Sequence, residues 1–532
     1  MGQTSEFDNL NKIEKSIIDF LKKLVYNKEI EQSVFNAIKP IGSIRPRMYG
    51  LPKLHKPNIP FRPILSMIKS PQHKLARFLN FLLEPVLAYY SQFVVKDSFE
   101  VIEKIRHAKS TNTVLTSFDV KQLFTNVPLE ESIKISADKL YEIRKPNLEK
   151  NNFIKLMKIA TSDVQFNFNN TIYSQIDGVA MGSPLGPTLA NIFIGYLESK
   201  IAHDLSSQVV YIRYVDDCLV ISKTESENED IFQKLNSLHK KISFTKEVEE
   251  NNQLPFLDIL IIKDKTSFLT NVYRKTTFTG QYLHYQSFCS KKRKVNLIKT
   301  LYHRAYRICS KELLHSEVER IKEILIKNGY PPDLIKKVIK SHHNNINQPR
   351  LFGPEKFPAI LKLPYIGEKS RVFESKLKDL TKTSYNQVLP RVIFLSKSLL
   401  KVQLKDPIPD QDKSCVVYKF NCSCEKSYIG QTSRHLKTRI KEHLPACVLK
   451  FIEQEPEIKT IATKNAAKRS SVAEHLINNR DCARKYDISR FRIIHHCNSV
   501  FDLVKLEAIS IFLEKPELCK QKEFDYKVSL FS

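Results

Sequence analysis

The sequence predicts an α+β multidomain chain, and three observations carry that reading. Its 532 residues exceed the ~100–200 typical of one domain. Over residues 66–270, helical periodicities alternate with short β-rich runs. Seven of the ten cysteines fall after residue 414, behind a polar stretch with two prolines, so a different module begins there. Apolar residues make up 42% of the chain, which fits packed cores rather than disorder.

The segments follow in order. Residues 1–44 read as a helical segment, with Leu10, Ile13, Ile17, Ile18 and Leu21 at near-helical spacing. From 45 to 65 the chain is Pro- and Arg-rich and extended, and opens an α/β unit running to 270. Residues 271–404 form a basic helical region, looser around Pro349, Pro354, Pro358 and Pro364, with a helix near 370–385. KDPIPDQDKS (405–414) reads as a linker, and 415–532 as a small C-terminal domain.

A net charge of +28, spread along the chain, predicts long basic surfaces that attract polyphosphate by counterion release. Residues 1–20 carry Glu6, Asp8 and Glu14 and no apolar core, so no secretory leader is expected. No run of 18 apolar residues occurs, and no membrane partner is expected. The compartment implied is intracellular and reducing, where cysteines serve as thiols or metal ligands.

VVYIRYVDDCLVIS (209–222) reads as a hairpin of β-branched and aromatic residues with Asp216 and Asp217 at its turn. TVLTSFDV (113–120) is a second strand ending in Asp119, followed by Phe124 and by a helix start at Pro128 with Glu130 and Glu131. Uncompensated carboxylates are costly to desolvate, so acids ending buried strands need a partner. Two divalent cations would supply it and would also promote in-line phosphoryl transfer. Mg²⁺ suits such an all-oxygen site. Between the acids lies Gly178-Val-Ala-Met-Gly182-Ser183-Pro184, a turn that opens an apolar helix.

These residues resemble reverse transcriptases, and more narrowly those of Penelope-like retroelements. SFDVKQLFTNVP, GVAMGSPLGPTLANIFI and RYVDD are similar to the three palm motifs, while YGLPKLHKP (49–57) and FRPILS (61–66) are similar to the finger motifs. The resemblance spans roughly 45–310 and implies a right-hand polymerase of fingers and palm (45–270) and thumb (within 271–404). It implies that Asp119 and Asp216 are the main metal ligands, with Asp217 beside them. It places Phe124 where an aromatic screens the sugar 2′-position, and Lys53 and Arg62 where they reach the incoming triphosphate. Gly182 and Ser183 would approach the nascent base pair. ISFTKEVEENNQLPFLDILI (242–261) resembles the palm-to-thumb segment. The basic run Lys291–Val295, with Arg304, would grip the duplex; it also looks like a nuclear import signal, so nuclear localisation is expected. The family often carries more sequence before the fingers.

In CVVYKFNCSCEKSYIGQTSRHLKTRIKEH (415–443), two strands bear Tyr418 and Tyr428, and a helix follows on which Arg439 and His443 share a face. Farther on, the apolar helix FDLVKLEAISIFL (501–513) carries Glu507 at its centre. The combination resembles the GIY-YIG endonucleases, a small α/β fold, through Val416-Val417-Tyr418 and Tyr428-Ile429-Gly430. It implies that Glu507 binds one Mg²⁺ and Arg439 stabilises the scissile phosphate. Tyr418 would help generate the nucleophilic water, supported by Tyr428 and His443. Val416 departs from the tripeptide's glycine, and Cys519 stands where the family usually has an asparagine that orients the site.

Cys422 and Cys424 are two soft ligands between the tripeptides. In Penelope-like elements this pair belongs to a zinc site completed by two downstream histidines. Here SVAEH supplies His475, and Cys482 occupies the second position. A Cys₃His set suits tetrahedral zinc, with His495, His496 or Cys497 as other candidates for the fourth ligand. The partners implied are template RNA, primer or target DNA, and deoxynucleoside triphosphates. Two rival readings remain at this level: a domesticated copy that only binds nucleic acid, and an intron-encoded polymerase that assists splicing.

Overall fold

Strand alternation explains the central sheet. Along Asp217–Ser222 nearly every residue is buried, because successive side chains enter two different cores. Cys218 and Val220 pack with Leu189 and Phe193 of the helix Leu185–Lys200. Leu219 and Ile221 pack instead against Ile259, Ile261 and Phe268 of a three-stranded meander, 253–272. The central sheet is antiparallel, in the order Val210–Tyr214, Asp217–Ser222, Val114–Val120, Phe244–Val248. The helix Leu185–Lys200 buries residues on all its faces, as its nearly unbroken apolar run requires. Pro184 and Pro187 fall at its start, where the first turn needs no N–H donor.

The structure, a computed structural model, describes residues 2–4, 10–54, 56–162, 164–346, 357–384, 388–395, 405–454, 460–497 and 500–519. The expected N-terminal helices occur at Leu10–Tyr26 and Gln32–Ile38. Gly2–Thr4 instead pairs with Thr171–Gln175 and edges a five-stranded sheet that includes Arg47–Pro52 and Phe61–Ser66. Three helices, Lys291–Ile308, Lys311–Lys327 and Pro332–Ile346, share a core of Ile298, Leu301, Ile321, Leu325 and Ile335.

Of the proline-bearing stretch before 370, residues 347–356, with Pro349 and Pro354, lie outside the described residues; beyond them Phe357–Pro364 pairs in parallel with Val388–Leu395 across the helix Glu368–Ser384, a strand pair the sequence reading does not include. The expected linker 405–414 is held at its start by the strands Arg47–Pro52 and Phe61–Ser66. Arg47 Nη1 donates to the Asp406 carbonyl at 2.8 Å, and Lys405 Nζ donates to Ser66 Oγ at 3.0 Å. Beside them, Gly42 (φ +58°) leaves no room for a Cβ, which would meet Ser414 Cβ and Ser433 O at 2.7 Å.

In the C-terminal unit the strand Val416–Asn421 lies between Ser427–Thr432 and Phe491–His496, all antiparallel. Val416, Tyr418 and Phe420 face one core beneath the helices Leu436–His443 and Ser471–Asn478. Val417 and Ile429 face a smaller core with Leu503 and Cys519. Among the described residues, no helix is long and apolar enough to cross a membrane.

Candidate active sites

The register of the central sheet brings the first set of acids together. Asp119 lies directly opposite Asp217, and Asp216 sits in the two-residue turn after Tyr214. The Val120 N–H donates to the Asp216 carbonyl at 3.0 Å, tying the turn to the neighbouring strand. Burial first, then Asp216, push the Asp119 carboxyl above its usual range, while Lys56, Lys53 and Arg62 draw it down. Burial, Asp216 and Asp119 push Asp217 up to about 6. Three crowded, half-desolvated carboxylates are a donor set that hard divalent cations stabilise, so the residues fit Mg²⁺.

Arg62 lies on the strand Phe61–Ser66 and Lys53 just past its partner Arg47–Pro52, and the charges of both act on Asp119. Phe124 packs beside the glycine turn, and its carbonyl accepts from the Val179 N–H at 2.7 Å. Gly182 has a reason internal to the chain. At φ +126°, a Cβ there would fall 2.0 Å from the Leu65 carbonyl oxygen of a finger strand. Ser183 is buried. Arg304 Nη2 pairs with Asp258 at 2.8 Å, tying the helix Lys291–Ile308 to the meander.

Sequence reasoning missed what holds the hairpin. Val215 adopts φ +56°, a costly conformation for a β-branched residue. Arg213 Nη1 donates to the Val215 carbonyl at 3.0 Å and to Asn191 Oδ1 at 2.7 Å. Its Nε and Nη2 grip both oxygens of Glu198 at 2.8 and 3.1 Å. Both side chains are excluded from solvent, at 0% and 2% exposure. The signal was present in the sequence: an arginine and a glutamate, each inside an apolar run, need each other.

The second site lies in a cleft of about 670 Å³ lined by Tyr428, Arg439, His443, Glu507 and Cys519, among others. Tyr418 is fully buried; its hydroxyl lies 2.7 Å from His443 Nε2, and Arg439 Nε donates to it at 3.2 Å. Gly430 stands opposite Tyr418 in register, and a Cβ there would meet the Tyr418 hydroxyl at 2.7 Å and the Tyr428 ring at 2.8 Å. The glycine of Tyr428-Ile429-Gly430 is therefore demanded by the two tyrosines. Glu507 is half-buried, and burial raises its carboxyl pKa against hydrogen bonds from Gln431. Burial first, then Arg439, lowers His443 to about 4, so the ring is neutral at pH 7. Cys519 takes a place of its own: its thiol donates to the Ile429 carbonyl at 3.2 Å and accepts from the Ile429 N–H at 3.4 Å.

Cys422, Cys424, His475 and Cys482 converge, with all four ligand atoms within 4.8 Å of one another. His475 Nε2 lies 3.2 Å from Cys422 Sγ and 3.4 Å from Cys424 Sγ. Tetrahedral zinc at ~2.3 Å from sulfur and ~2.0 Å from nitrogen asks for ligand separations of roughly 3.5–3.8 Å, so the set fits zinc. Of the four fourth-ligand candidates, Cys482 is the one in this cluster. Cys497 belongs to the smaller core, and His495 and His496 lie on the edge strand Phe491–His496.

Residues 51–249 match the family "Reverse transcriptase (RNA-dependent DNA polymerase)", and 281–340 match "Animal helix-turn-helix domain". No curated protein matches the chain. Among solved structures, apo telomerase from Candida tropicalis, truncated from its C-terminal domain, is 15% identical, with a TM-score of 0.33 over 41% of this chain and 53% of that one. Candida albicans telomerase with a fragment of telomeric RNA is 12% identical, with a TM-score of 0.40 over 73% and 67%. The Sicinivirus 3Dpol RNA-dependent RNA polymerase is 13% identical, with a TM-score of 0.34 over 53% and 63%. The chain spans about half the length of the first of these. It carries a reverse transcriptase domain, and the carboxylates Asp119, Asp216 and Asp217 lie within it.

Proposed function

We propose that the chain is the protein of a Penelope-like mobile element: an RNA-directed DNA polymerase with a C-terminal GIY-YIG endonuclease. The observation that carries the polymerase half is the pairing of Asp119 with Asp217 on adjacent strands, with Asp216 in the adjoining turn, inside the reverse transcriptase domain. Held by these acids, two Mg²⁺ ions would activate the attacking 3′-hydroxyl and neutralise the leaving pyrophosphate. Lys53 and Arg62 bind the triphosphate from the fingers, and Phe124 excludes a ribose hydroxyl. Arg213 keeps the acid-bearing turn in place.

The nuclease half is supported by the convergence of Tyr428, Arg439, His443 and Glu507 on one cleft, with buried Tyr418 hydrogen-bonded behind it to Arg439 and His443, a set drawn from four separate elements. Glu507 would hold one Mg²⁺, which polarises the scissile phosphate. Arg439 orients that phosphate, while Tyr418 draws a proton from the attacking water. Zinc at Cys422, Cys424, His475 and Cys482 would fasten the strand turn at 422–424 to the helix Ser471–Asn478. The nick would supply the 3′-hydroxyl from which bound element RNA is copied, a reaction suited to nuclear DNA.

Two assays test the pair. Purified protein should extend a DNA primer on RNA template, and Asp216→Asn should stop it. It should also nick supercoiled DNA, and Glu507→Gln should stop that alone. Undiminished extension by the first variant would overturn the metal-site assignment.

A further inference from the structure

The hydrogen bonds at the second site have one consistent direction. Tyr418 O accepts from Arg439 Nε, and the hydroxyl is fully buried, so its hydrogen needs an acceptor. Among the described residues that acceptor is His443 Nε2, at 2.7 Å. The neutral ring must then carry its proton on Nδ1, which lies 2.9 Å from Ser470 Oγ. Ser470 Oγ already accepts the Ala473 N–H at 3.2 Å as the N-cap of the helix Ser471–Asn478. Accepting from both donors leaves its own O–H free, and Ser470 lines the cleft.

From this wiring we infer that Ser470 is a positioning and relay residue, which fixes the His443 tautomer and returns the proton from Tyr418 to the cleft. The inference rests on the nuclease reading above. As water attacks the phosphorus, the P–O3′ bond breaks and the 3′-oxygen leaves, taking a proton from solvent; the attacking water gives one proton to Tyr418 O, whose own proton passes to His443 Nε2. The Nδ1 proton then moves to Ser470 Oγ, and the Ser470 proton leaves to solvent in the cleft. Each group ends with as many protons as it began with and no imidazolium forms; the reverse shift through Ser470 Oγ and Tyr418 O then returns the His443 proton to Nδ1. That outlet matters because the ring resists charging: burial and Arg439 disfavour the cation, with Glu442 the opposing neighbour. The same helix carries His475 in its last turn, so the metal cluster and Ser470 position one another.

The test uses the full chain nicking supercoiled plasmid with Mg²⁺. Ser470→Asn keeps a helix cap and an acceptor for Nδ1–H but has no hydroxyl to relay through. It should melt like the parent, nick about 10–100-fold more slowly, and replace a curved dependence of rate on D₂O fraction with a linear one. Ser470→Thr should restore both rate and curvature. Histidine-¹⁵N spectra, with His443 assigned by His443→Gln, should show Nδ1 protonated and Nε2 bare. Parent-like rate and curvature in Ser470→Asn, or an Nε2–H tautomer, would overturn the relay alone. Absence of nicking by the parent chain would overturn the nuclease reading and the relay with it.

Discussion

In the reverse transcriptase domain, Asp119 and Asp217 face each other on neighbouring strands of one sheet, and the tight turn beside them adds Asp216. In the C-terminal unit, the site residues come from two strands and two helices separated by up to ninety residues, gathered around one buried tyrosine hydroxyl. The first site crowds like charges and depends on what neutralises them. The second is close to neutral inside, with an uncharged histidine and a protonated tyrosine, and depends on hydrogen-bond direction. Damage should therefore spread differently: charge removal should disable the first site, and loss of alignment should disable the second.

The largest expected break is Asp216→Asn. Losing several kcal/mol of transition-state stabilisation lowers primer extension by about 10³-fold or more, with plasmid nicking unchanged. Metal removal reverses the pattern. A zinc chelator, or Cys422→Ser, should abolish nicking and lower the C-terminal unit's melting temperature, while primer extension, measured with Mg²⁺ restored, persists.

The buried ion pair sharpens the comparison further. Arg213→Met leaves Glu198 buried without a countercharge, held only by the Tyr211 hydroxyl at 2.9 Å, and should cost about 3–5 kcal/mol of stability in denaturant titrations. The double change Arg213→Met/Glu198→Leu should recover most of that stability. It should not recover the extension rate, because the Val215 carbonyl still lacks its donor.

The pH response follows from Asp217. Its folded pKa near 6 lies above that of an exposed carboxylate, so the metal-free fold keeps a proton that Mg²⁺ must displace. Below pH 6 the Mg²⁺ concentration for half-maximal extension should rise, about tenfold per pH unit. In the absence of metal the same shift makes stability fall as pH climbs from about 4 to 6, since the folded chain binds the extra proton. Asp217→Asn should flatten both curves. The smallest effect is expected for Cys519→Asn. One neutral hydrogen bond to Ile429 is worth about 1 kcal/mol, so nicking should change by less than about tenfold.

How much of this was legible in the sequence differs between the two regions for a physical reason. The palm acids sit in contiguous runs whose periodicity fixes strand and turn, so Asp119, Asp216 and Asp217 could be placed from pattern alone. The nuclease set became visible only through paired tripeptides, and the helix bearing Glu507 gave no signal by itself. Ser470 was hidden because its role depends on a fold that brings it to His443 from 27 residues away. The parallel strand pair at 357–395 was missed because prolines usually argue against strands, and this two-stranded sheet lets them sit at its edges. The docking of 405–414 was missed because a polar proline stretch carries no mark of its partner.

The central claim is that one chain both cuts DNA and copies RNA from the cut. One measurement tests it directly: incubate the full chain with supercoiled plasmid, a template RNA, Mg²⁺ and labelled deoxynucleotides, and ask whether label joins plasmid strands. Labelled plasmid-linked DNA should form, disappear in Glu507→Gln and reappear when that variant receives pre-nicked plasmid. Extension of supplied primers with no label entering intact supercoiled plasmid would contradict the claim.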